Sequence, residues 1–189
     1  MKYSYNNKAI FVFFVLLLIF MSACNSNHSD SQTKIISGYS FNTSNSKMGF
    51  NYLKYEDSQR DISMKILPGV DYAGANSVIS DRMTLFESVF EPRRVDYPGA
   101  YTKTIICPDE YKPQRSQNES NEERIDYFKG FANSNKVAGA CAKDIIKYNY
   151  VYGFIYCKNQ KELIEIDYYS ELNESNPQKF IQELNCGKI

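Results

Sequence analysis

Between Tyr148 and Cys157 the chain sets Tyr148, Tyr150, Tyr152, Phe154 and Tyr156 alternately with Asn149, Val151, Gly153, Ile155 and Cys157. A period of two is the side-chain period of a β-strand, and nothing helical puts every second residue on one side. Aromatic and β-branched residues also suit a pleated, half-buried surface. Lys158-Asn159-Gln160-Lys161 is a polar turn, and Leu163 to Tyr169 resumes the pattern, so the two runs read as a β-hairpin. This hairpin constrains the chain most, because any fold must build a sheet around it.

Other segments fit the same frame. Gly49 to Tyr55 and Asp61 to Leu67 read as strands, the second with Ile62, Met64 and Ile66 alternating with Ser63 and Lys65, and Pro68-Gly69 then breaks the chain. The period changes after Asn76. Ile79, Met83, Phe86 and Phe90 share one face of a helix over 76–90, capped by Asn76 or Ser77 and stopped by Pro92. Tyr101 to Cys107, Ile125 to Ala132 and Val137 to Ala142 read as strands, and the polar stretch from Pro108 to Glu123 reads as an exposed loop. Asn176 and Pro177 open a short closing helix with Phe180, Ile181 and Leu184 inward. The expected class is α+β, a single domain with an antiparallel sheet and the helices packed on one face. At fold level this order of elements resembles small α+β folds of the PsbP type, an analogy that carries no function.

The amino terminus has a different chemistry. Lys2 and Lys8 precede an uncharged apolar run from Ala9 to Met21, and Ser22-Ala23-Cys24 closes it. Charge, grease and small residues in that order make a secretory signal. Its 13 apolar positions are fewer than the ~20 needed to span a bilayer. With a cysteine at the cut, the segment resembles a bacterial lipoprotein signal. That resemblance implies lipidation of Cys24, acyl chains that hold the protein to a membrane and, with Asn25 rather than Asp next, an outer-membrane, periplasm-facing location. The expected organisation is a signal peptide over 1–23, a flexible polar tether over 24–34 and a disulfide-bonded domain over 35–189. The lone histidine, His28, falls in the tether.

Removing the first 23 of 189 residues leaves 166, enough for one self-sufficient core. The two lysines leave with the signal, so 20 basic and 22 acidic side chains remain, a balance that gives no pull toward nucleic acid. Cys107, Cys141, Cys157 and Cys186 then form an even set in an exported chain, which reads as two disulfides. Three connectivities are open. The order of elements favours Cys107–Cys141 with Cys157–Cys186, closing loops of 34 and 29 residues.

Catalytic machinery is hard to assemble from these residues. The domain has no histidine and no Gly-x-Ser-x-Gly elbow, Cys-x-x-Cys or glycine-rich phosphate loop. No cofactor and no metal are expected. Paired carboxylates remain available for acid–base work, but the sequence does not select a pair. The candidate partner surface is the tyrosine stripe of Tyr148, Tyr150, Tyr152 and Tyr156, since tyrosine joins apolar area to a polar tip. A second candidate is the 108–124 segment with Asp109, Glu110 and Arg115. The expected role is a membrane-anchored, non-catalytic binding or accessory module with a protein partner in the envelope. An immunity-type inhibitor of a periplasmic toxin and a carboxylate-based envelope hydrolase are the alternatives.

Overall fold

The computed structural model describes residues 32–45, 49–96, 99, 102–133, 136, 146–173 and 177–189. The elements in chain order are β1 (Thr33–Ile36), β2 (Tyr39–Asn45), β3 (Asn51–Glu56), β4 (Arg60–Leu67), α1 (Tyr72–Ser88), β5 (Arg93–Asp96), β6 (Thr102–Ile105), a 3₁₀ turn (Asp109–Tyr111), β7 (Gln114–Glu119), β8 (Glu123–Asn133), β9 (Ile146–Cys157), β10 (Glu162–Glu171) and α2 (Pro177–Glu183). Eight strands form one antiparallel sheet in the order β1-β2-β3-β4-β10-β9-β8-β7. β5 and β6 pair separately as a two-stranded ribbon. The described residues are thus dominated by the sheet, with two helices added.

The predicted hairpin is the centre of this sheet. β9 and β10 pair from Cys157 with Glu162 to Tyr148 with Glu171, and each has a further strand on its outer side. Because β9 is apolar on both faces, both need a cover. Ala75, Ile79 and Met83 of α1 lie on the tyrosine side. Phe180 and Ile181 of α2, with Leu184 just beyond it, lie on the side of Val151, Ile155 and Ile164. The helices therefore occupy opposite faces, which corrects the expectation that both pack on one. A central strand with a polar outer face would have needed one helix layer; this strand needs two.

Gly153 shows how tightly β9 packs. It faces Tyr127 across the β8–β9 ladder, and a Cβ at this position would fall 2.4 Å from the Tyr127 Cβ and 2.6 Å from the Asp126 carbonyl oxygen. No larger residue fits without moving backbone.

Four expectations on boundaries change. α1 starts at Tyr72, four residues before Asn76, because Asp71 is the cap: its Oδ1 accepts from the Gly74 N–H at 2.7 Å. The stretch expected as a loop after Pro108 contains β7, an edge strand paired with β8 from Gln114–Lys129 to Glu119–Arg124. Pro113, which has no N–H to donate, stands immediately before it. Thr33 and Lys34, expected in the tether, already belong to β1. Of the strand expected over Tyr101 to Cys107, the described residues form Thr102–Ile105, paired with β5, and Ile106 and Cys107 lie beyond it. The strand expected over 137–142 and the Asn176 cap lie outside the described residues.

Cys157 and Cys186 form the expected disulfide, with Cα atoms 5.5 Å apart, tying the end of β9 to the chain beyond α2. Cys107 is buried and disulfide-bonded; Cys141, its expected partner, lies outside the described residues, as do Cys24 and His28.

Candidate functional site

The tyrosine stripe is core, not surface. Tyr150, Tyr152 and Tyr156 are 1%, 9% and 2% exposed beneath α1. Phe86 of α1 stacks on Tyr152 and on Phe128 with ring centroids 4.8 and 5.1 Å apart. The Tyr156 hydroxyl donates to the Val70 carbonyl at 3.0 Å. Tyr148 at the strand's start is half-buried, with the Lys136 ammonium 5.6 Å from its ring centre. The candidacy of this face as a partner surface is therefore withdrawn. The helix that covers it is specified by apolar residues of its own, which is the ordinary fate of a strongly apolar sheet face.

The 108–124 candidates divide. Asp109 is exposed and pairs with Lys112 at 2.7 Å, whose ammonium holds its carboxyl below the usual range. Glu110 follows it in the 3₁₀ turn. Arg115 turns inward onto Asp126, with Nε donating to Oδ1 at 3.0 Å and a second nitrogen to Oδ2 at 2.8 Å. Arg124 adds a contact to the same Oδ2 at 3.3 Å and donates to Asn76 Oδ1 of α1 at 2.5 Å. Asp126 is fully buried, so one carboxylate pins β7, β8 and, through Arg124, the helix. This is an architectural use of Arg115.

Two further arrangements emerge on folding. The first is an acidic group on the α1 face. Glu165 and Asp167 alternate with the buried Ile164, Ile166 and Tyr168 of β10, and so point to the same side. Asp61 of β4 lies across from Tyr169 on that side. The Tyr152 hydroxyl donates to Glu165 Oε1 at 2.9 Å. Burial pushes the Asp167 carboxyl up to about 6, and the charges of Glu165 and Asp61 push the same way. Lys65 faces Glu165 across the ladder, and the Lys136 ammonium is 3.5 Å from Asp61 Oδ2.

The second is a cleft of about 380 Å³ where β7 begins, β10 ends and α2 starts. Its walls include Lys112, Gln114, Lys129, Phe131, Asn149 and Leu172, with Pro177 and Gln178 from α2 and with Gly130 and Tyr150 completing it. Phe131 and Leu172 are 40% and 41% exposed, although both are large and apolar. The Lys129 ammonium donates to Gln178 Oε1 at 3.0 Å, and pairs with no carboxylate among the described residues. Among the described residues the wall contains two lysines and three amides but no acid. Tyr150 packs against Gly130, where a Cβ would come within 3.0 Å of its hydroxyl oxygen, and that hydroxyl is buried without a hydrogen-bond partner among the described residues.

Neither arrangement is visible as a motif. The carboxylate pair has a signal that periodicity could have supplied, since Glu165 and Asp167 are two apart in a strand that otherwise buries its alternate residues. The cleft draws on five separated segments, and only the fold assembles them.

Among the described residues no cluster of three His, Cys, Asp or Glu side chains is placed to hold a metal ion, and no helix is long and apolar enough to cross a membrane. No protein-family model matches the chain, and no curated protein is similar to it.

Proposed function

We propose that the chain is a lipid-anchored binding or accessory module of the bacterial envelope, held through Cys24 at the outer membrane and facing the periplasm. Its ligand seat is the cleft between β7, β8 and α2. The observation that carries this reading is the cleft itself: a cavity in the size range of ligand pockets, walled by lysines and amides, with two large apolar side chains left open to solvent. The signal segment supports the anchor, as two acyl chains hold a protein stably where one does not.

The test is in-cell crosslinking with affinity capture, using wild type, Cys24→Ala and Lys129→Glu. The module reading expects a specific partner or ligand with wild type and at least tenfold less with Lys129→Glu. Capture that ignores Lys129→Glu removes the cleft from the proposal. Incorporation of a labelled fatty acid, lost in Cys24→Ala, checks the anchor separately.

A second reading, a carboxylate-based envelope hydrolase, is favoured by the acidic group on the α1 face. There Asp167 stays protonated at a pH where an ordinary carboxyl is ionised, beside Glu165. A carboxyl kept protonated beside a second carboxyl group is what a general acid requires. Turnover of peptidoglycan fragments by the purified protein, abolished in Asp167→Asn, is the expected result; equal rates in the two proteins exclude these residues from any activity found.

A further inference from the structure

Resting on the cleft reading above, we infer that the cleft takes a small organic carboxylate whose charged end meets Lys129 and whose apolar body lies against Phe131 and Leu172. The Lys129 ammonium has three donors and no acceptor, and its one hydrogen bond among the described residues goes to the neutral amide of Gln178. Lys112 on the same wall, by contrast, is already paired with a carboxylate, Asp109 at 2.7 Å. Lys129 instead shares its wall with Gln114, Asn149 and Gln178, which can donate to an oxyanion without competing for the lysine as an acid would. A charge-assisted bond from ammonium to carboxylate is stronger than any of the neutral contacts now made.

The apolar residues set the rest of the ligand. Phe131 and Leu172 stand on the same wall, both substantially exposed. A bare inorganic anion would leave them wet, whereas a carboxylate carried on an aliphatic side chain covers them. At about 380 Å³ the cavity suits one or a few residues of peptide or a short organic acid. The chemistry shared by a peptide's C-terminal residue and a free fatty or amino acid is the same: a carboxylate beside an apolar group.

The experiment is calorimetric titration of the full chain in detergent micelles with N-acetyl-leucine, N-acetyl-leucinamide, acetyl-Ala-Ala-Leu with a free carboxylate, hexanoate and inorganic phosphate. The expected result is binding of N-acetyl-leucine at least tenfold tighter than its amide, and lost at least tenfold in Lys129→Gln with an unchanged circular dichroism spectrum. Tighter binding of the tripeptide than of hexanoate assigns the site to peptide C-termini, and the reverse order assigns it to free organic acids; both support the inference. Acid and amide binding alike, phosphate binding as well as N-acetyl-leucine, or silence toward every probe overturns it. Such silence, together with in-cell capture that still depends on Lys129, overturns the carboxylate and leaves the cleft as the ligand seat.

Discussion

At the scale of single residues, two buried polar groups set the sharpest expectations. The Tyr150 hydroxyl is out of water and makes no hydrogen bond among the described residues. A buried polar group left unmade costs about 1–3 kcal/mol. Tyr150→Phe removes the oxygen and keeps the ring on Gly130, so the ligand-free variant is expected to be as stable as wild type or more stable by about 1 kcal/mol, read from urea unfolding at constant m-value. A loss of stability would mean the hydroxyl has a partner after all. Asp167 acts through pH. Its carboxyl titrates near 3.8 when unfolded and near 6 when folded. In between, the folded state holds the proton that the unfolded state has lost, so this group's contribution to stability falls as pH rises from about 4 to about 6. Other acids run the opposite way; Glu119, held low by Lys158 and Tyr72, is one. The difference between proteins isolates the effect. Asp167→Asn should match wild type in melting temperature near pH 4 and exceed it at pH 7. Parallel profiles would show that Asp167 titrates as an ordinary surface acid.

At the scale of elements, β7 depends on a partner that its own sequence does not announce. Gln114–Glu119 is polar throughout, with Ser116 alone half-buried, so neither face has the alternation that marks a strand. What makes it a strand is across the ladder: Arg115 forks onto Asp126, which is apolar-flanked on β8 and also receives Arg124. Asp126→Asn leaves two arginines around a site that no longer carries charge. A buried pair broken on one side costs about 3–5 kcal/mol. The expected signature is local as well, with faster hydrogen exchange over 114–119 and at the start of α1, which Arg124 touches through Asn76. Uniform exchange across the sheet would contradict the pinning role. The same logic separates what was legible in the sequence from what was not. β9, β10, β4 and the inner face of α1 could be read because each buries an apolar period. β7 could not, since its pairing rests on one buried carboxylate a strand away. The Asp71 cap is hidden in the sequence for the same kind of reason, as Asn76 is equally good cap chemistry and only the backbone shows it inside the helix. The acidic group on β10 was readable from its two-residue spacing. The cleft was not, because Lys129, Asn149, Leu172 and Gln178 lie on four separate elements or loops.

At the scale of the whole molecule, the tyrosine stripe teaches the larger lesson. Aromatic residues in a row are as compatible with core as with recognition, and the choice depends on whether another element arrives to cover them. Here α1 does, and the surface functions fall to the margin of the sheet. The Cys157–Cys186 bridge then holds α2, one wall of the cleft, to the end of β9. Closing a loop of 29 residues is worth about 3–4 kcal/mol on the chain-entropy model. Cys186→Ser is expected to lower the unfolding free energy by about that amount and to weaken the binding of any ligand in the cleft, whereas reduction would also open the bridge of Cys107. Ligand affinity that survives Cys186→Ser unchanged would show that α2 is seated by Phe180, Ile181 and Leu184 without the bridge.

The strand order has a mechanical consequence. The chain enters the sheet through β1 at one edge, while the cleft lies by β8 and β7 at the other. Six interstrand spacings separate β1 from β8 in that order, roughly 30 Å at about 4.8 Å each. If a tether pulls from the amino terminus while a partner holds the cleft, the load crosses the sheet along its hydrogen bonds, opening ladders one at a time rather than shearing them together. β1 has only four paired residues, so it peels first. The edge strand then serves as a yielding link that lengthens the leash before the core feels the pull.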